Sequence, residues 1–189
     1  HLTEIIRMHA FELLGRQEGH SLLENFRRTH PKVVDELVPN HMTLGAVVKV
    51  LQNLLKEQVS VRDLLTIFET LADEAPNTKD LEALTEAVRR SLSRSITRKY
   101  TNEEGAIPVM SLSPQYEEII SGSLLQTEQG IQMVMDPTQA NEMINEMARV
   151  IDVHPEFAGQ PILLTSPTVR RHVRKLTERF IPQLIVLSH

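Results

Sequence analysis

Apolar residues recur at helical spacing through the first hundred positions of the chain. One stripe consists of Leu44, Val47, Val48, Leu51, Leu54 and Leu55, and a second of Val61, Leu64, Leu65, Phe68, Leu71 and Ala72. Intervals of three and four residues place such side chains on one face of a helix, and Pro76 ends the second helix. The pattern predicts two amphipathic helices that bury their apolar faces, and by itself it indicates no function.

The joint between these helices carries further signals. Ser60 and Asp63 have the spacing of a capping box, and Val59 and Leu64 around them match a hydrophobic staple. We therefore expect the second helix to start at Ser60.

Other helices are predicted on both sides of this pair. Their stripes are Leu2, Ile5, Ile6, Ala10 and Leu13, then Leu22, Leu23 and Phe26, then Val33, Val34 and Leu37, and after Asp80 the residues Leu81, Leu84 and Val88. Pro31 and Pro39 stop two of these helices, because the residue before a proline is disfavoured in the helical conformation. The chain up to about Lys99 is predicted to be helical.

A different pattern follows the polar, turn-forming segment Thr101–Gly105. Three apolar runs are each followed by a capping residue and a proline, and a fourth run lies near the end. The runs are Ile107–Leu112 before Ser113-Pro114, Ile131–Met135 before Asp136-Pro137, Ile162–Thr165 before Ser166-Pro167, and Leu184–Leu187. Strands that alternate with helices favour a parallel sheet.

The fold class expected from these patterns is α+β with more than one domain. An all-helical domain is followed by a small α/β domain with a mostly parallel sheet. We expect residues 1–18 to be the terminal helix of a preceding, truncated domain, residues 19–102 to be the helical domain, and residues 103–189 to be the α/β domain.

Charge is distributed unevenly along a chain of net charge −5. Residues 161–189 contain five Lys or Arg and one acid, a net +4, so the remainder carries −9. The acidic balance disfavours general nucleic-acid binding, and the polarity favours contacts between domains or between neighbouring subunits. No apolar run approaches the roughly 18 residues of a membrane span.

Sites for catalysis, metals and cofactors are not predicted. The chain has no Cys, and its His residues lack the i, i+4 spacing of paired metal ligands. The strand-to-helix turns have Pro where a phosphate site needs Gly, and Ser166 lacks the flanking Gly of a nucleophile elbow. We therefore expect a protein that is not an enzyme and that binds no cofactor and no metal.

A basic helix near the end offers a candidate contact surface. Val169, Val173, Leu176 and Phe180 are expected to form its buried seam, with the cationic residues flanking the seam or facing out. Arg170, Arg171, Arg174 and Lys175 are the candidate protein–protein contact residues. An ordinary charged surface is the alternative, and nucleic-acid contact is disfavoured because no aromatic residues interleave.

A helix-turn-helix DNA-binding regulator is the remote alternative for the opening pair of helices. The would-be recognition helix, Val61–Ala75, carries Arg62 against four acids, a net −3 that would repel phosphates.

Several blocks resemble, in order, one known family. They are Phe11–Glu18 (FELLGRQE), Asp35–Pro39 (DELVP), Val50–Pro76 (VLQNLLKEQVSVRDLLTIFETLADEAP), Arg94–Tyr100 (RSITRKY) and Pro161–Ser188. Together they resemble the C-terminal cytoplasmic region of the flagellar and type III secretion export-gate family (FlhA/InvA, or FHIPEP). The segment Ser91–Tyr100 (SLSRSITRKY) and the closing block are more similar to the flagellar branch, and a virulence injectisome homologue is the alternative.

This resemblance implies a docking platform for export chaperone–cargo complexes, without catalytic residues or cofactors. It implies self-assembly into a nonameric ring, contacts with other export apparatus proteins including the ATPase complex, and no nucleic-acid partner. It places the chain at the cytoplasmic face of the bacterial inner membrane, as a soluble portion of an integral membrane protein. His1, Leu2 and Ile5 would lie at the edge of the chaperone groove, and the alternative is that Leu2 and Ile5 are helix core.

Overall fold

A computed structural model of the chain describes residues 9–128, 130–157 and 159–189. The chain divides into two compact units, His1–Thr101 and Asn102–His189. The first is a helical unit and the second an α/β unit, so the predicted fold class is confirmed. The assignment of residues 1–18 to a preceding domain stays a prediction.

The helical unit contains seven helices among its described residues. They are α1 (Ala10–Leu13), α2 (Arg16–Arg27), α3 (Pro31–Leu37), α4 (Leu44–Lys56), α5 (Leu64–Glu74), α6 (Leu81–Ser91) and α7 (Ser93–Tyr100). Helices α4 and α5 both pack against α6, while α2 packs against α3 and α4. The predicted stripes of α4 and α5 meet in one aliphatic core around Phe68, Leu51 and Leu54, all three of them buried.

The predicted start of α5 at Ser60 is wrong. The helix begins at Leu64 with Asp63 as its N-cap, and the Thr66 backbone N–H donates to Asp63 Oδ1 over 3.1 Å. The Thr66 hydroxyl also donates to Asp63 Oδ2 over 2.8 Å. Asp63 therefore satisfies two donors, whereas Ser60 Oγ accepts only a 3.4 Å hydrogen bond from the Arg62 N–H. The helix predicted after Asp80 is confirmed, and Asp80 is its N-cap, because its carboxylate accepts from the Glu82 and Ala83 N–H groups.

A glycine allows α2 to approach α4 closely. Gly19 is buried near the start of α2, and a Cβ built on it would overlap the Val48 side chain of α4. The approach of the two helices therefore depends on the missing side chain.

The α/β unit contains five strands and three α-helices among its described residues. They are β1 (Met110–Ser111), α8 (Pro114–Gly122), β2 (Leu124–Thr127), β3 (Gly130–Met133), α9 (Pro137–Val153), β4 (Ile162–Thr165), α10 (Arg170–Thr177) and β5 (Ile185–Ser188), with a 3₁₀ turn at Pro155–Phe157. Strands β1, β4 and β5 form a parallel sheet in that order, and β2 pairs with β3 in a separate antiparallel hairpin.

Strand β4 is the centre of the parallel sheet. Its Leu163 lies between Met110 of β1 and Val186 of β5. Helix α10 connects β4 to β5 and packs on β5, as a crossover between parallel strands requires. The core beneath the sheet is rich in methionine, with Met110, Met143 and Met147 buried and Met133 and Met135 packed at its edge.

Two predicted strands differ from the structure. The predicted strand Ile131–Met135 becomes β3, which pairs with the unpredicted β2 and not with the parallel sheet. The first predicted strand, Ile107–Leu112, shrinks to Met110–Ser111, because Pro108 has no N–H to donate to a ladder.

The three predicted Pro-containing helix starts have different outcomes. Ser113 and Asp136 are the N-caps of α8 and α9, as predicted. The start predicted at Ser166-Pro167 is wrong, because a turn precedes α10, which begins at Arg170. The Ser166 N–H instead donates to Glu117 Oε1 over 2.7 Å, and its carbonyl accepts from the Val169 and Arg170 N–H groups.

Replacing Asp63 tests the observed helix cap. Asp63→Ala should lower the free energy of unfolding by about 1 kcal/mol, because the Thr66 N–H loses its acceptor. Ser60→Ala is the control and should change it by less than about 0.5 kcal/mol. Urea denaturation followed by circular dichroism measures both, and a larger effect at Ser60 would restore the capping box inferred from the sequence.

Candidate interaction surfaces

The helical unit contains an open groove of about 550 Å³. It lies between the end of α4 with the following loop and helices α6 and α7, and Ala10 of α1 also contributes. The lining residues are Ala10, Leu55, Gln58, Val59, Ser60, Val61, Arg62, Arg89, Ser95, Ile96, Lys99 and Tyr100. Three of them are cations and none is a carboxylate, so the groove favours apolar or anionic groups.

The loop beside the groove is held by a lysine from α7. Gln58 has a φ of 57°, a left-handed conformation typical of a helix C-terminus. The Lys99 ammonium donates to the Gln58 carbonyl oxygen over 2.7 Å. This bond joins segments 41 residues apart, so it fixes the loop against α7.

A largely buried ion pair lies at the base of the same region. Arg89 Nη1 of α6 is 3.4 Å from Glu57 Oε2, directly after α4. A pair of this kind positions its helices, while its net contribution to stability is small because both groups lose water. The groove walls are therefore tied together by charges drawn from distant parts of the chain.

Helix α10 carries the basic residues expected to flank its apolar seam or to face outward. The Arg170 side chain is instead buried, with the residue 2% exposed, and its Nη1 donates to the Val186 carbonyl over 3.1 Å. Arg174 Nη1 donates to the Leu184 carbonyl over 2.7 Å. Two of the four candidate contact residues therefore attach α10 to β5 and to the residue just before it, and Arg170 does not face outward.

The other two candidates lie further out on α10. Lys175 is exposed, and Arg171 is partly exposed with its Nε donating to His172 Nε2 over 3.3 Å. Phe180, expected in the buried seam, is 63% exposed. The seam prediction is wrong at this residue because α10 ends at Thr177, after which helical spacing no longer applies.

The α/β unit also has an acidic part. Residues 102–160 contain ten acids and one cation, Arg149, which gives the net −9 inferred above, whereas residues 1–101 are neutral overall. Arg149 donates to both carboxylate oxygens of Glu146 and lowers the pKa of that carboxyl. The backbone N–H groups of Thr138 and Gln139 lower the pKa of Asp136 in the same way. These groups stay ionised at neutral pH, and the surface stays negative.

The remaining predicted site residues, His1, Leu2 and Ile5, lie outside the described residues. The groove was missed from the sequence, because its walls come from segments far apart along the chain. Only the cationic residues Arg62, Arg89 and Lys99 on predicted helices could have drawn attention to it.

The described residues offer neither a cluster of metal ligands nor a membrane-spanning helix. Within residues 9–128, 130–157 and 159–189, no group of three or more His, Asp or Glu side chains could hold a metal ion. No helix of that part of the chain is long and apolar enough to cross a bilayer.

Replacing Arg170 tests its structural role. Arg170→Ala should lower the stability of the α/β unit by about 2–3 kcal/mol, because a buried charge-assisted hydrogen bond and its packing are lost. Arg179→Ala, an exposed change in the same basic segment, should shift stability by less than about 0.5 kcal/mol. Thermal unfolding of both variants makes the comparison, and equal midpoints would contradict the anchoring role.

Comparison with known sequences assigns the whole chain. A profile of the FHIPEP family matches residues 1–189. The flagellar biosynthesis protein FlhA of Bacillus subtilis (strain 168) is 39% identical over 189 residues, which cover 100% of this chain and 28% of that protein. FlhA of Escherichia coli (strain K12) is 36% identical over 189 residues, 100% of this chain and 27% of that protein. The chain thus spans just over a quarter of these relatives.

Solved structures agree with the sequences. The Chlamydia pneumoniae CdsV protein superposes with a TM-score of 0.89 at 36% identity, covering 100% of this chain and 54% of that one. The nonameric EPEC SctV-C structure has a TM-score of 0.86 at 32% identity, covering 99% and 56%. CdsV has also been solved in a complex with CdsO. Because the family profile matches the whole of this chain and these relatives agree with it, the chain belongs to the FHIPEP family of export-gate proteins.

Proposed function

We propose that the chain is part of the cytoplasmic region of a flagellar type III protein export gate. In this role it forms one segment of a homo-oligomeric ring and helps to dock export chaperone–cargo complexes. It catalyses no reaction. Its contribution is to present surfaces to partners and to neighbouring copies.

The observation that carries this proposal is the uninterrupted match along the chain. Both units align with FlhA of Bacillus subtilis over 189 residues, so the match is not limited to one common motif. The flagellar role rests on FlhA relatives at 33–39% identity. An injectisome role is the second candidate, since CdsV is similar at 36% identity.

Self-assembly is supported by relatives and by charge. The SctV-C and EscV cytosolic domains are nonameric, and each is 32% identical to this chain. Within the α/β unit, residues 102–160 carry −9 and residues 161–189 carry +4. Opposite charges on different parts of one surface favour association between copies in a fixed orientation.

Chaperone docking is proposed to need residues upstream of this chain. His1, Leu2 and Ile5 would supply only the edge of the chaperone groove, as the family resemblance implies. At the membrane, this portion would lie on the cytoplasmic face, with other export apparatus proteins, including the ATPase complex, as further partners.

Calorimetric titration tests chaperone docking. The titrant is a flagellar chaperone loaded with filament-type cargo, added to this chain and to the chain extended with its upstream cytoplasmic segment. The extended protein should bind with a micromolar or lower Kd, about −8 kcal/mol. This chain alone should bind weakly or not at all, because most of the chaperone groove is proposed to be upstream of it. Tight binding by the chain alone would contradict the upstream location, and no binding by the extended protein would contradict the docking role.

Charge reversal tests the basic helix as a contact surface. Arg174 donates a hydrogen bond to the Leu184 carbonyl, so it is left unchanged. The substitutions are made at Arg171 and Lys175. Arg171→Glu with Lys175→Glu should lower flagellar export about tenfold, equivalent to about 1.4 kcal/mol of docking free energy.

The matched control is Arg90→Glu with Arg94→Glu, since both residues are exposed and four positions apart in the helical unit. Secretion into the medium and swimming motility are the measurements, and thermal unfolding verifies that each variant is folded. Normal export in the α10 variant would remove this helix from the contact surfaces.

A further inference from the structure

The β2–β3 hairpin presents two exposed apolar side chains on one face. Leu125 is 52% exposed and Val134 is 61% exposed. Leu125 lies opposite Gln132, and the Val134 N–H donates to the Ser123 carbonyl over 2.8 Å. Because side chains alternate along a strand, Leu125 and Val134 point to the same side and are diagonal neighbours. We call this pair the hairpin patch.

The other face of the hairpin is already used. Met133, the last residue of β3, lies between Gln132 and Val134 and points to the opposite side, and it packs at the edge of the core of the α/β unit. The hairpin therefore has apolar groups on both faces, and the described residues cover Met133 on one face but leave Leu125 and Val134 on the other exposed. A two-stranded hairpin is marginally stable by itself, so a second covered face would also stabilise it.

The segment of the chain that contains the hairpin patch is acidic. The patch belongs to residues 102–160, which have a net charge of −9. Arg149, the one cation in that stretch, is neutralised by a bidentate contact with Glu146. A partner for this patch should therefore carry an apolar group with positive charge beside it.

The same unit carries such a group on a different part of its surface. Phe180 is 63% exposed after the end of α10, and Arg179 precedes it. Both belong to residues 161–189, with their net charge of +4. We call Arg179 and Phe180 the aromatic knuckle.

The patch and the knuckle do not cover each other within one chain. Leu125, Val134 and Phe180 each keep more than half of their surface exposed. Two different, complementary surfaces on one molecule form a head-to-tail contact between copies, and contacts of this type close into rings when the rotation allows.

We propose that the hairpin patch of one copy receives the aromatic knuckle of the neighbouring copy. This inference rests on the proposed ring, and it names a contact surface in the α/β unit. Phe180 supplies the apolar anchor, and the charges of the two segments set the direction of docking. The contact is small, so it depends on the high effective concentration inside an assembly.

Cysteine cross-linking tests this contact directly, because the chain contains no Cys of its own. The variant V134C/F180C carries one thiol on each surface, and a disulfide forms only when the two Cα atoms come within about 7 Å. Oxidation should give a ladder of dimers, trimers and larger species on a non-reducing gel. V134C and F180C alone should stay monomeric, and a mixture of the two should stop at dimers.

The matched control is V153C/F180C. Val153 is 57% exposed, similar to Val134, but it ends the 17-residue helix α9. At 1.5 Å per residue, Val153 lies about 25 Å from the start of α9. Because α9 starts just after the hairpin, Val153 is far from the hairpin patch. The ladder should exceed that of this control. It should also weaken from about 0.1 M to about 1 M salt, where the Debye length falls from about 10 Å to about 3 Å.

Other outcomes would overturn the proposal. Dimers of V134C alone would mean that two hairpins pair with each other, and an equal ladder from V153C/F180C would mean random collisions.

Sedimentation of the unmodified protein separates failure of this contact from failure of the proposed ring. Rings without the V134C/F180C ladder would reject this contact and leave the proposed function intact, whereas no self-assembly would reject the contact and the proposed ring together.

Discussion

Burial of the apolar faces of α4, α5 and α6 against one another is the constraint on which the helical unit depends. Each isolated helix of 11–13 residues would be marginal in water, and packing makes it stable. Once α4 and α5 are packed, Glu57 and Gln58 lie beside α6 and α7, where Arg89 and Lys99 contact them. The groove and its cationic lining therefore follow from the packing of the core.

In the α/β unit, two arginine side chains help to hold the last helix against the sheet, in addition to apolar packing. Arg170 and Arg174 reach carbonyl oxygens at Val186 and Leu184, on and just before the last strand. Their stems are covered while their guanidinium groups satisfy backbone acceptors. Arg170 and Arg174, whose charge suggested a surface position, therefore stabilise the fold. The surface that remains available to partners consists of Arg171, Lys175 and the turn that follows α10.

Local patterns in the sequence predicted much of the fold. The helical stripes of α4, α5 and α6 and the caps at Ser113 and Asp136 were correct, because helical spacing and capping act within a few residues. The start of α5 was wrong because two acceptors, Ser60 and Asp63, competed for one helix end. The hairpin, the burial of Arg170 and the groove depend on partners distant along the chain, which no local pattern contains. Phe180 was misplaced because the seam was extended past the end of α10.

The two cores differ in how they respond to deformation. Five of the seven methionines belong to the core of the α/β unit, whereas the helical core is mostly Leu, Val and Ile. Unbranched thioether side chains change rotamer easily and fill irregular space, and branched aliphatic ones do so less readily. We therefore expect the core of the α/β unit to repack more easily than the helical core, and peroxide to act first on Met133 and Met135, its partly buried thioethers.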